Sequence, residues 1–243
     1  MPIIKLDAID STNSYLRQLS TNDALEDFTV VVAEVQTNGR GQMGTIWQAQ
    51  PSKNLMCSVF VDISFLDIDN NFCISMAASL AILKTLKRFQ LQQLNVKWPN
   101  DILAGHQKIS GILIENVIKN NELQASIIGI GLNVNQVQFP NLPHATSMLA
   151  QSGRNHPIDE VLHHVLEALK IEIDRLRSGQ LEQVKTEYQC ALFRNNKPST
   201  FKDRDGRLFS GYIQGVTDAG HLKVLVEDDE IREFQLKEVE LMY

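Results

Sequence analysis

The chain alternates short apolar runs with longer amphipathic segments, which is the pattern of an α+β fold. Strands are predicted at Ile3 to Leu6, Thr29 to Ala33, Asn54 to Val61 and Leu94 to Trp98, where apolar and β-branched residues cluster. Pro99 ends the last of these strands, because a proline ring disfavours helical backbone in the residue before it. Such short, punctuated runs favour buried strands of a globular domain.

Four segments have the features of helices. The polar residues Asp10 to Ser14 offer several N-caps for a helix that we expect to run to about Leu19. Phe72 to Phe89 has apolar residues along one face, and Ile158 to Leu176 is strongly amphipathic. A further helix is predicted at Leu181 to Leu192. The number of small polar residues at the first helix exceeds what one cap requires, so some of them are candidates for ligand contact.

Two long strands are predicted at Lys108 to Ile118 and at Leu123 to Asn133, joined by a hairpin at Lys119 to Glu122. Glycines inside a strand mark a bulge or a close approach by another group. Gly129 and Gly131 therefore identify a place on the second strand where something else comes near.

From Asn195 onward the pattern changes to short strands separated by turn sequences, at Asp203 to Gly206, Thr217 to Gly220 and Glu227 to Glu230. This predicts a small all-β module that is barrel-like. We therefore expect two domains, at residues 1–194 and 195–243.

One stretch stands apart from this pattern because it follows an apolar run and then becomes polar and glycine-spaced. It runs from Glu34 to Trp47 and reads E-V-Q-T-N-G-R-G-Q-M-G-T-I-W, and we call it the glycine loop. Its glycines free the backbone to approach an anion, Arg40 offers a guanidinium fork to phosphate or carboxylate, and Trp47 could cover a flat ring. The loop matches neither the phosphate-loop nor the dinucleotide pattern, so an ordinary mobile surface loop is the alternative interpretation.

Composition and charge narrow the function classes. The chain has 243 residues, enough for one large and one small domain, and its net charge of −6 argues against non-specific binding to nucleic acid or anionic membranes. No signal peptide or membrane-spanning run is visible, and the three cysteines are too far apart for a disulfide framework or a zinc site. A cytoplasmic location is expected. His163 and His164 lack ligands at metal spacing and are interpreted as surface histidines.

Five motifs in order resemble those of the biotin protein ligases. They are D-S-T-N at Asp10 to Asn13, Q-T-N-G-R-G-Q-M-G-T-I-W at Gln36 to Trp47, K-W-P-N-D at Lys97 to Asp101, K-I-S-G-I-L-I-E at Lys108 to Glu115, and G-I-G-L-N at Gly129 to Asn133. The resemblance implies a mixed-sheet catalytic domain of the biotin/lipoate ligase type with helices packed on it. The β module after residue 195 agrees with the SH3-like C-terminal barrel of that family.

The resemblance implies an ATP-dependent ligase that activates biotin as biotinyl-5'-AMP and passes it to one lysine of a biotin carboxyl carrier protein. Lys108 would bridge the biotin carboxylate and the α-phosphate, and Arg40 would hold the anions and fold the glycine loop over the adenylate. Asp101, and less directly Asn100, would orient magnesium or the incoming lysine. Magnesium would be held mainly by phosphate oxygens and water, without a dedicated protein site.

The same resemblance implies which residues bind each substrate. The expected biotin-binding residues are Ser11, Thr12, Asn13, Gln36, Gly39, Arg40, Lys108, Gly111 and Gly129, with the hydroxyls and Gln36 on the ureido group and the glycines leaving room. The expected ATP-binding and adenylate-binding residues are Arg40, Gln42, Trp47, Lys108 and Asn133, with Trp47 stacked on adenine and Asn133 at its edge.

The sequence departs from the family pattern at two places. Many members have arginines at the positions of Gln42 and Thr45, so we expect Arg40 and Lys108 to make most phosphate contacts, and packing of Met43 and Trp47 to help retain the adenylate. Only nine residues precede Asp10, where some members have a DNA-binding domain, so a short form without repressor function is expected.

Other functions remain open at this stage. A lipoate or octanoate ligase or transferase shares the fold and also modifies a carrier lysine. A non-catalytic biotin-binding module is disfavoured by the ATP-site residues, and nucleic-acid binding by the acidic β module. The expected partners are thus biotin, ATP and a carrier domain of a biotin-dependent carboxylase. Family members associate through a sheet edge, so a homodimer is compatible with the sequence, which does not distinguish it from a monomer.

Overall fold

The computed structural model describes residues 1–22 and 24–243, without the side chain of Asp228. Twelve strands and five α-helices are present in this part of the chain. The strands of the first sheet are β1 (Ile3–Ile9), β2 (Thr29–Gln36), β3 (Leu55–Asp62), β4 (Leu94–Lys97), β5 (Asp101–Ala104), β6 (Gln107–Lys119) and β7 (Glu122–Leu132). The helices are α1 (Thr12–Asn22), α2 (Phe72–Arg88), α3 (Met148–Ser152), α4 (Ile158–Arg177) and α5 (Leu181–Cys190).

The first sheet is mixed, in the order β1-β2-β3-β7-β6-β5-β4. β1 and β2 are parallel, and every other neighbouring pair is antiparallel. The predicted hairpin between the two long strands is confirmed, since β6 and β7 pair from Lys119 and Glu122 to Ser110 and Leu132. This places the ends of β2, β6 and β7, which carry the sequence motifs, close to the middle of the sheet.

Helices cover both faces of the first sheet. Val30 and Ile128 belong to the main core beneath α2 and α4, whereas their neighbours Val31 and Ile127 pack with Leu16 of α1 on the other face. Adjacent residues point to opposite faces because side chains alternate along a strand. α1 therefore lies on the same face of the sheet as a ligand that binds at the ends of β2 and β6.

The predicted elements mostly match the structure, with three additions. β5 lies in a segment for which no strand was predicted, and the stretch from residue 135 to 157 contains the short helix α3. The first helix continues to Asn22, beyond the expected end at Leu19. Leu16 is its one fully buried apolar residue, so the polar second half gave little helical pattern to detect.

The second sheet is antiparallel, in the order β11-β10-β9-β8-β12, which confirms the predicted all-β module. Its strands are β8 (Pro198–Asp203), β9 (Leu208–Val216), β10 (Leu222–Leu225), β11 (Ile231–Phe234) and β12 (Val239–Met242). Among the described residues no ladder joins β11 to β12, so the strand pairing gives an open sheet with two edges where a barrel was expected. The domain boundary between residues 194 and 195 stays a prediction.

The two sheets are in contact. Trp98 Nε1 donates a hydrogen bond of 2.8 Å to the carbonyl oxygen of Gly220, in a turn of the second sheet. Lys237 Nζ of the second sheet lies 3.4 Å from the carbonyl oxygen of Met43 in the glycine loop. In the described part of the chain, no helix combines the length and hydropathy that crossing a membrane requires.

Candidate functional site

The tip of the glycine loop, Gly39 to Trp47, folds as a narrow hairpin. Trp47 N donates to Gly39 O at 2.9 Å, and Gly41 N donates to Thr45 O at 2.7 Å. At the turn, Met43 and Gly44 have φ angles of 54° and 81°. The left-handed region is readily adopted by glycine, so Gly44 suits this turn. We call Gly39 to Trp47 the loop tip.

The indole of Trp47 lies on the sheet over Gly131. A Cβ at Gly131 would come within 3.0 Å of three carbons of the indole, and one at Gly111 would lie 3.2 Å from the ring. These glycines face each other across β6 and β7. Trp47 Nε1 is buried and has no hydrogen-bond partner among the described residues. An unpaired buried donor costs roughly 1–3 kcal/mol, so a ligand oxygen at this point would stabilise the site.

The start of α1 forms a buried group of neutral polar side chains. Ser11, Thr12 and Asn13 are all buried. The backbone N–H and hydroxyl of Thr12 both donate to Gln36 Oε1, at 2.8 and 3.1 Å. This fixes the orientation of the Gln36 amide, so its NH2 group points away from Thr12. We call Ser11, Thr12, Asn13 and Gln36 the neutral end of the site.

Asn13 is held from three sides. Ser58 Oγ of β3 lies 2.5 Å from Asn13 Oδ1, and Asn13 Nδ2 donates to Glu115 Oε2 at 2.9 Å. The amide also fills the space above Gly129, where a Cβ would come within 3.0 Å of it. The close approach expected at Gly129 is therefore made by Asn13 itself.

Lys108 reaches the cavity because β6 is irregular beside it. The pairing of β5 with β6 skips Ile109, so that Leu103 faces Lys108 and Ile102 faces Ser110. Such a bulge changes which face a side chain occupies. Lys108 Nζ lies 2.6 Å from Asp101 Oδ1 and 5.7 Å from the centre of the Trp47 ring. Two of the predicted catalytic residues, Lys108 and Asp101, are therefore brought together.

Arg40 lies away from Lys108 in this structure. Its guanidinium forms a two-pronged ion pair with Glu115, at 2.9 and 3.2 Å, and contacts Ser14 Oγ at 3.3 Å. Lys108 Nζ lies over Gly111, 3.3 Å from where a Cβ on that glycine would be, and Glu115 is four residues further along β6, which corresponds to roughly 13 Å at about 3.3 Å per residue. Anions shared by Arg40 and Lys108 would require the arginine side chain to leave Glu115.

One cavity of about 820 Å³ connects these groups. It begins at the neutral end, passes Lys108 and Asp101, and extends to the second sheet. Basic side chains lining it outnumber acidic ones although the chain is acidic overall, which favours an anionic ligand. The basic residues are Arg40, Lys97, Lys108, Lys202, Arg204 and Lys237, and the acidic ones are Asp101, Asp203 and Glu240.

Most of the predicted site residues line this cavity, but two do not. Gly39 lies under the backbone of Trp47, and Asn133 is buried with its amide donating to Thr146 O at 2.9 Å. The lining residues from the prediction are Ser11, Thr12, Asn13, Gln36, Arg40, Gln42, Trp47, Asn100, Asp101, Lys108, Gly111 and Gly129.

The two glycines differ from expectation. Gly111 and Gly129 were expected to leave open space, but Trp47 and Lys108 occupy the space at Gly111, and Asn13 occupies the space at Gly129. Met43 is 57% exposed at the apex of the turn, and its packing against the adenylate stays a prediction. Gln42 and Thr45 stabilise that turn, since Thr45 Oγ1 donates to Gln42 O at 2.9 Å.

Some residues of the site were missed by the sequence analysis. Glu115 is the last residue of the K-I-S-G-I-L-I-E motif. The only indication of a role for it in the sequence was its position on the same side of β6 as Gly111. Ser58 and the cations of the second sheet depend on tertiary packing, and their sequence surroundings contain no indication of it. Gly131 was predicted only to mark a place where another group comes close to the strand.

Cys57 also lines the cavity, on the floor formed by β3. Burial raises the pKa of its thiol to about 12. A thiol with such a pKa is protonated at neutral pH and does not act as a nucleophile. All three cysteines of the chain are free, and Cys57 therefore contributes shape to the floor without contributing reactivity.

Among the described residues, the only group of three candidate metal ligands lies outside the cavity. It consists of His163, His164 and Glu167 on α4, where both histidines contact the carboxylate. Inside the cavity, Asp101 already contacts Lys108, and the other carboxylates come from the second sheet. This arrangement fits a cation that arrives bound to phosphate oxygens.

Comparison with known proteins identifies related sequences. The model of the biotin/lipoate A/B protein ligase family matches residues 6–133, which are 128 of the 243 residues. The bifunctional ligase/repressor BirA of Bacillus spizizenii is 33% identical over 68% of this chain and 51% of its own length. The biotin--[acetyl-CoA-carboxylase] ligase of Mycobacterium tuberculosis is 28% identical over 87% of this chain and 79% of its own. The chain thus spans about half the length of the BirA proteins it matches.

Solved structures share the whole fold. The biotin protein ligase of Aquifex aeolicus in complex with biotin and ATP superposes with a TM-score of 0.82 and 25% identity, covering 99% of this chain and 98% of that one. A biotin protein ligase of Leishmania major in complex with biotinyl-5-AMP has a TM-score of 0.62 and 23% identity, over 96% of this chain and 98% of its own. The first likeness covers both sheets of the present structure.

Proposed function

We infer from the matched family model that the chain belongs to the biotin/lipoate A/B protein ligase family, and we propose that it is a biotin ligase. It would activate biotin with ATP as biotinyl-5'-AMP and transfer the biotinyl group to one lysine of a biotin carboxyl carrier protein. The observation that carries this proposal is the cavity with Lys108 at its middle, neutral hydrogen-bonding groups at one end and cations towards the other.

The neutral end suits the ureido ring of biotin. That ring has two N–H donors and one carbonyl acceptor, and it carries no charge. Ser11, Thr12 and Gln36 supply hydroxyl and amide groups of both kinds, within a buried setting where unpaired polar atoms cost about 1–3 kcal/mol each. Asn13 supports this end from beneath, through Ser58 and Glu115.

In the first step, an oxygen of the biotin carboxylate forms a bond to the α-phosphorus of ATP. The bond from that phosphorus to the bridging oxygen breaks, and pyrophosphate leaves with the electron pair. Lys108 would stabilise the negative charge that collects on the phosphoryl oxygens, because catalysis of such transfers depends mainly on positioning and charge. Asp101 holds Lys108 Nζ at 2.6 Å and would keep it aimed at that point.

In the second step, the amine of the carrier lysine forms a bond to the acyl carbon of the adenylate. The bond from that carbon to the AMP oxygen breaks, AMP leaves, and the amine loses a proton. Asp101 lies beside Lys108 and is half-buried, so we propose that it orients the incoming lysine. Asn100 is fixed nearby by a hydrogen bond of 2.7 Å to Ile112 O.

The adenylate would lie under the glycine loop. Trp47 is proposed to stack on adenine after leaving the Gly111 and Gly131 floor, and Gln42 lines the same side of the cavity. Asn133 donates one amide N–H to Thr146 O, and we propose that its second amide hydrogen and Oδ1 pair with the edge of the base. Closure would protect the mixed anhydride from water and from stray lysines.

Magnesium is proposed to accompany ATP, with phosphate oxygens and water as its main ligands. Its charge would offset that of the phosphates. We further propose that the carrier is a domain of a biotin-dependent carboxylase and that the reaction takes place in the cytoplasm. The name of the Mycobacterium tuberculosis relative and the complex of the Aquifex aeolicus ligase with biotin and ATP support the choice of biotin over lipoate.

A mass measurement tests this proposal. The protein is mixed with MgATP, a biotin carboxyl carrier domain, and either biotin or lipoate, and the carrier is then weighed. We expect the mass to increase with biotin by one biotinyl group on one lysine. An increase with lipoate alone would support the lipoate ligase alternative and overturn the assignment.

A further inference from the structure

Glu115 connects three separate segments through one carboxylate. Its oxygens accept hydrogen bonds from Asn13 Nδ2 at 2.9 Å and from both terminal nitrogens of Arg40, at 2.9 and 3.2 Å. Arg17 of α1 contacts it more loosely, at 3.4 Å. The Glu115 side chain is only 13% exposed, so these partners replace most of the water around it.

Few other interactions hold the loop tip against the rest of the protein. The side chain of Arg40 is 42% exposed, and its one other side-chain hydrogen bond among the described residues is to Ser14 Oγ at 3.3 Å. The hairpin hydrogen bonds of the tip are internal to it. Apart from the indole of Trp47 on the floor and the long contact from Lys237, the ion pair with Glu115 is the main link.

We propose that Glu115 is a positioning residue that anchors Arg40, and with it the loop tip, while orienting Asn13 at the neutral end. A two-pronged pair fixes the plane of a guanidinium as well as its distance, which a single contact does not. The same carboxylate therefore sets the geometry of the loop and of the buried amide. This inference rests on the proposed function only in identifying what the loop covers, namely the biotinyl adenylate.

Trypsin provides a direct readout because Arg40 is itself a cleavage site. Cleavage after Arg40 requires its side chain to enter the protease and the loop tip to open. Glu115→Gln keeps an oxygen for Asn13 but replaces the ionic partner of Arg40. We expect cleavage at the Arg40–Gly41 bond of the full-length protein to become roughly tenfold faster in this variant.

Two further variants separate anchoring from general stability. Glu115→Asp keeps the charge on a shorter side chain, and we expect an intermediate rate. Arg17→Ala removes the looser partner and leaves the pair with Arg40, so its rate should stay within about twofold of wild type. The proposal is overturned if trypsin cuts the Glu115→Gln variant after Arg40 at the wild-type rate. It is also overturned if cleavage of this variant becomes faster to the same degree at every trypsin site.

A second measurement addresses the reaction. In Glu115→Gln we expect the adenylate to escape roughly tenfold faster, seen as biotinylation of a bystander protein, with Arg17→Ala unchanged. Retention equal to wild type would contradict the anchoring role. A wild-type protein that makes no biotinyl adenylate would refute the proposed function, while the protease comparison would still decide the role of Glu115.

Discussion

The neutral end of the cavity and the loop tip are held in different ways. At the neutral end, Thr12 donates to Gln36, and Asn13 is held by Ser58 and Glu115 through short hydrogen bonds; Thr12 and Asn13 are almost wholly buried. At the loop tip, Met43 and Ile46 are exposed, and the attachment consists mainly of the partly exposed ion pair of Arg40 with Glu115 and the indole of Trp47 on the floor. The neutral end is preorganised, whereas the tip has fewer and more exposed attachments.

This difference matches the two tasks that the site would perform. Recognition of an uncharged ring needs fixed donors and acceptors, because a misplaced partner leaves a buried polar group unpaired. Covering a reactive intermediate needs a segment that opens for substrates and closes afterwards. This contrast can be tested by mutation, and the first variant concerns Lys108, which lies between the two regions.

Lys108→Ala should have the largest effect. Removing the amine leaves the charge on the phosphoryl oxygens unbalanced, and we expect adenylate formation to slow by about 100- to 1,000-fold. Lys223→Ala on β10 is the control, since that lysine is not among the residues lining the cavity. Pyrophosphate release measures the rate, and thermal unfolding should be similar in both variants. Full activity in Lys108→Ala would remove this residue from the mechanism.

Replacing a glycine of the floor by alanine adds one methyl group, either beneath Asn13 or beneath Trp47. The two variants therefore compare the neutral end with the loop tip directly. Gly129→Ala would collide with Asn13, which its partners hold in place, so we expect a loss of roughly 1–3 kcal/mol in unfolding free energy and weaker biotin binding. Gly131→Ala would collide with Trp47, which can swing out with the loop. Its stability should fall less, and its tryptophan fluorescence should change instead. Equal destabilisation by both changes would argue that the tip is as fixed as the neutral end.

Gln42→Arg should have the smallest effect of the three. It introduces a cation at a position that lines the cavity. An exposed cation near phosphate contributes modestly, so we expect the adenylate to dissociate about threefold more slowly. Stopped-flow dissociation of biotinyl-5'-AMP measures this rate. Unchanged dissociation would count against the idea that the absence of a cation at this position limits retention of the adenylate.

Much of the fold follows from the sequence because local patterns determine it. The long hairpin of β6 and β7, the helices α2 and α4, and the later all-β module all have strong periodicity or turn residues. β5 was missed because it is only four residues long and follows a proline-containing turn. The parallel pairing of β1 with β2 depends on the path of α1 across the sheet, which no local pattern specifies.

The site was predicted less completely, for a physical reason. Motif residues such as Lys108 and Asp101 could be assigned, but the bulge that turns Lys108 towards the cavity arises from pairing with β5. No role was predicted for Glu115, because the residues that bond to it come from segments more than 70 residues away in the sequence. Likewise, the basic residues of the second sheet approach the cavity only through the packing of the two sheets.

The central claim is that this cavity forms and retains biotinyl-5'-AMP. The direct measurement is native mass spectrometry of the full-length protein after incubation with biotin and MgATP, without any carrier, and rapid removal of free ligand. We predict one bound biotinyl-5'-AMP per chain in wild type and none in Lys108→Ala. A wild-type protein that retains no adenylate with biotin, but does retain one with lipoate, would contradict the account.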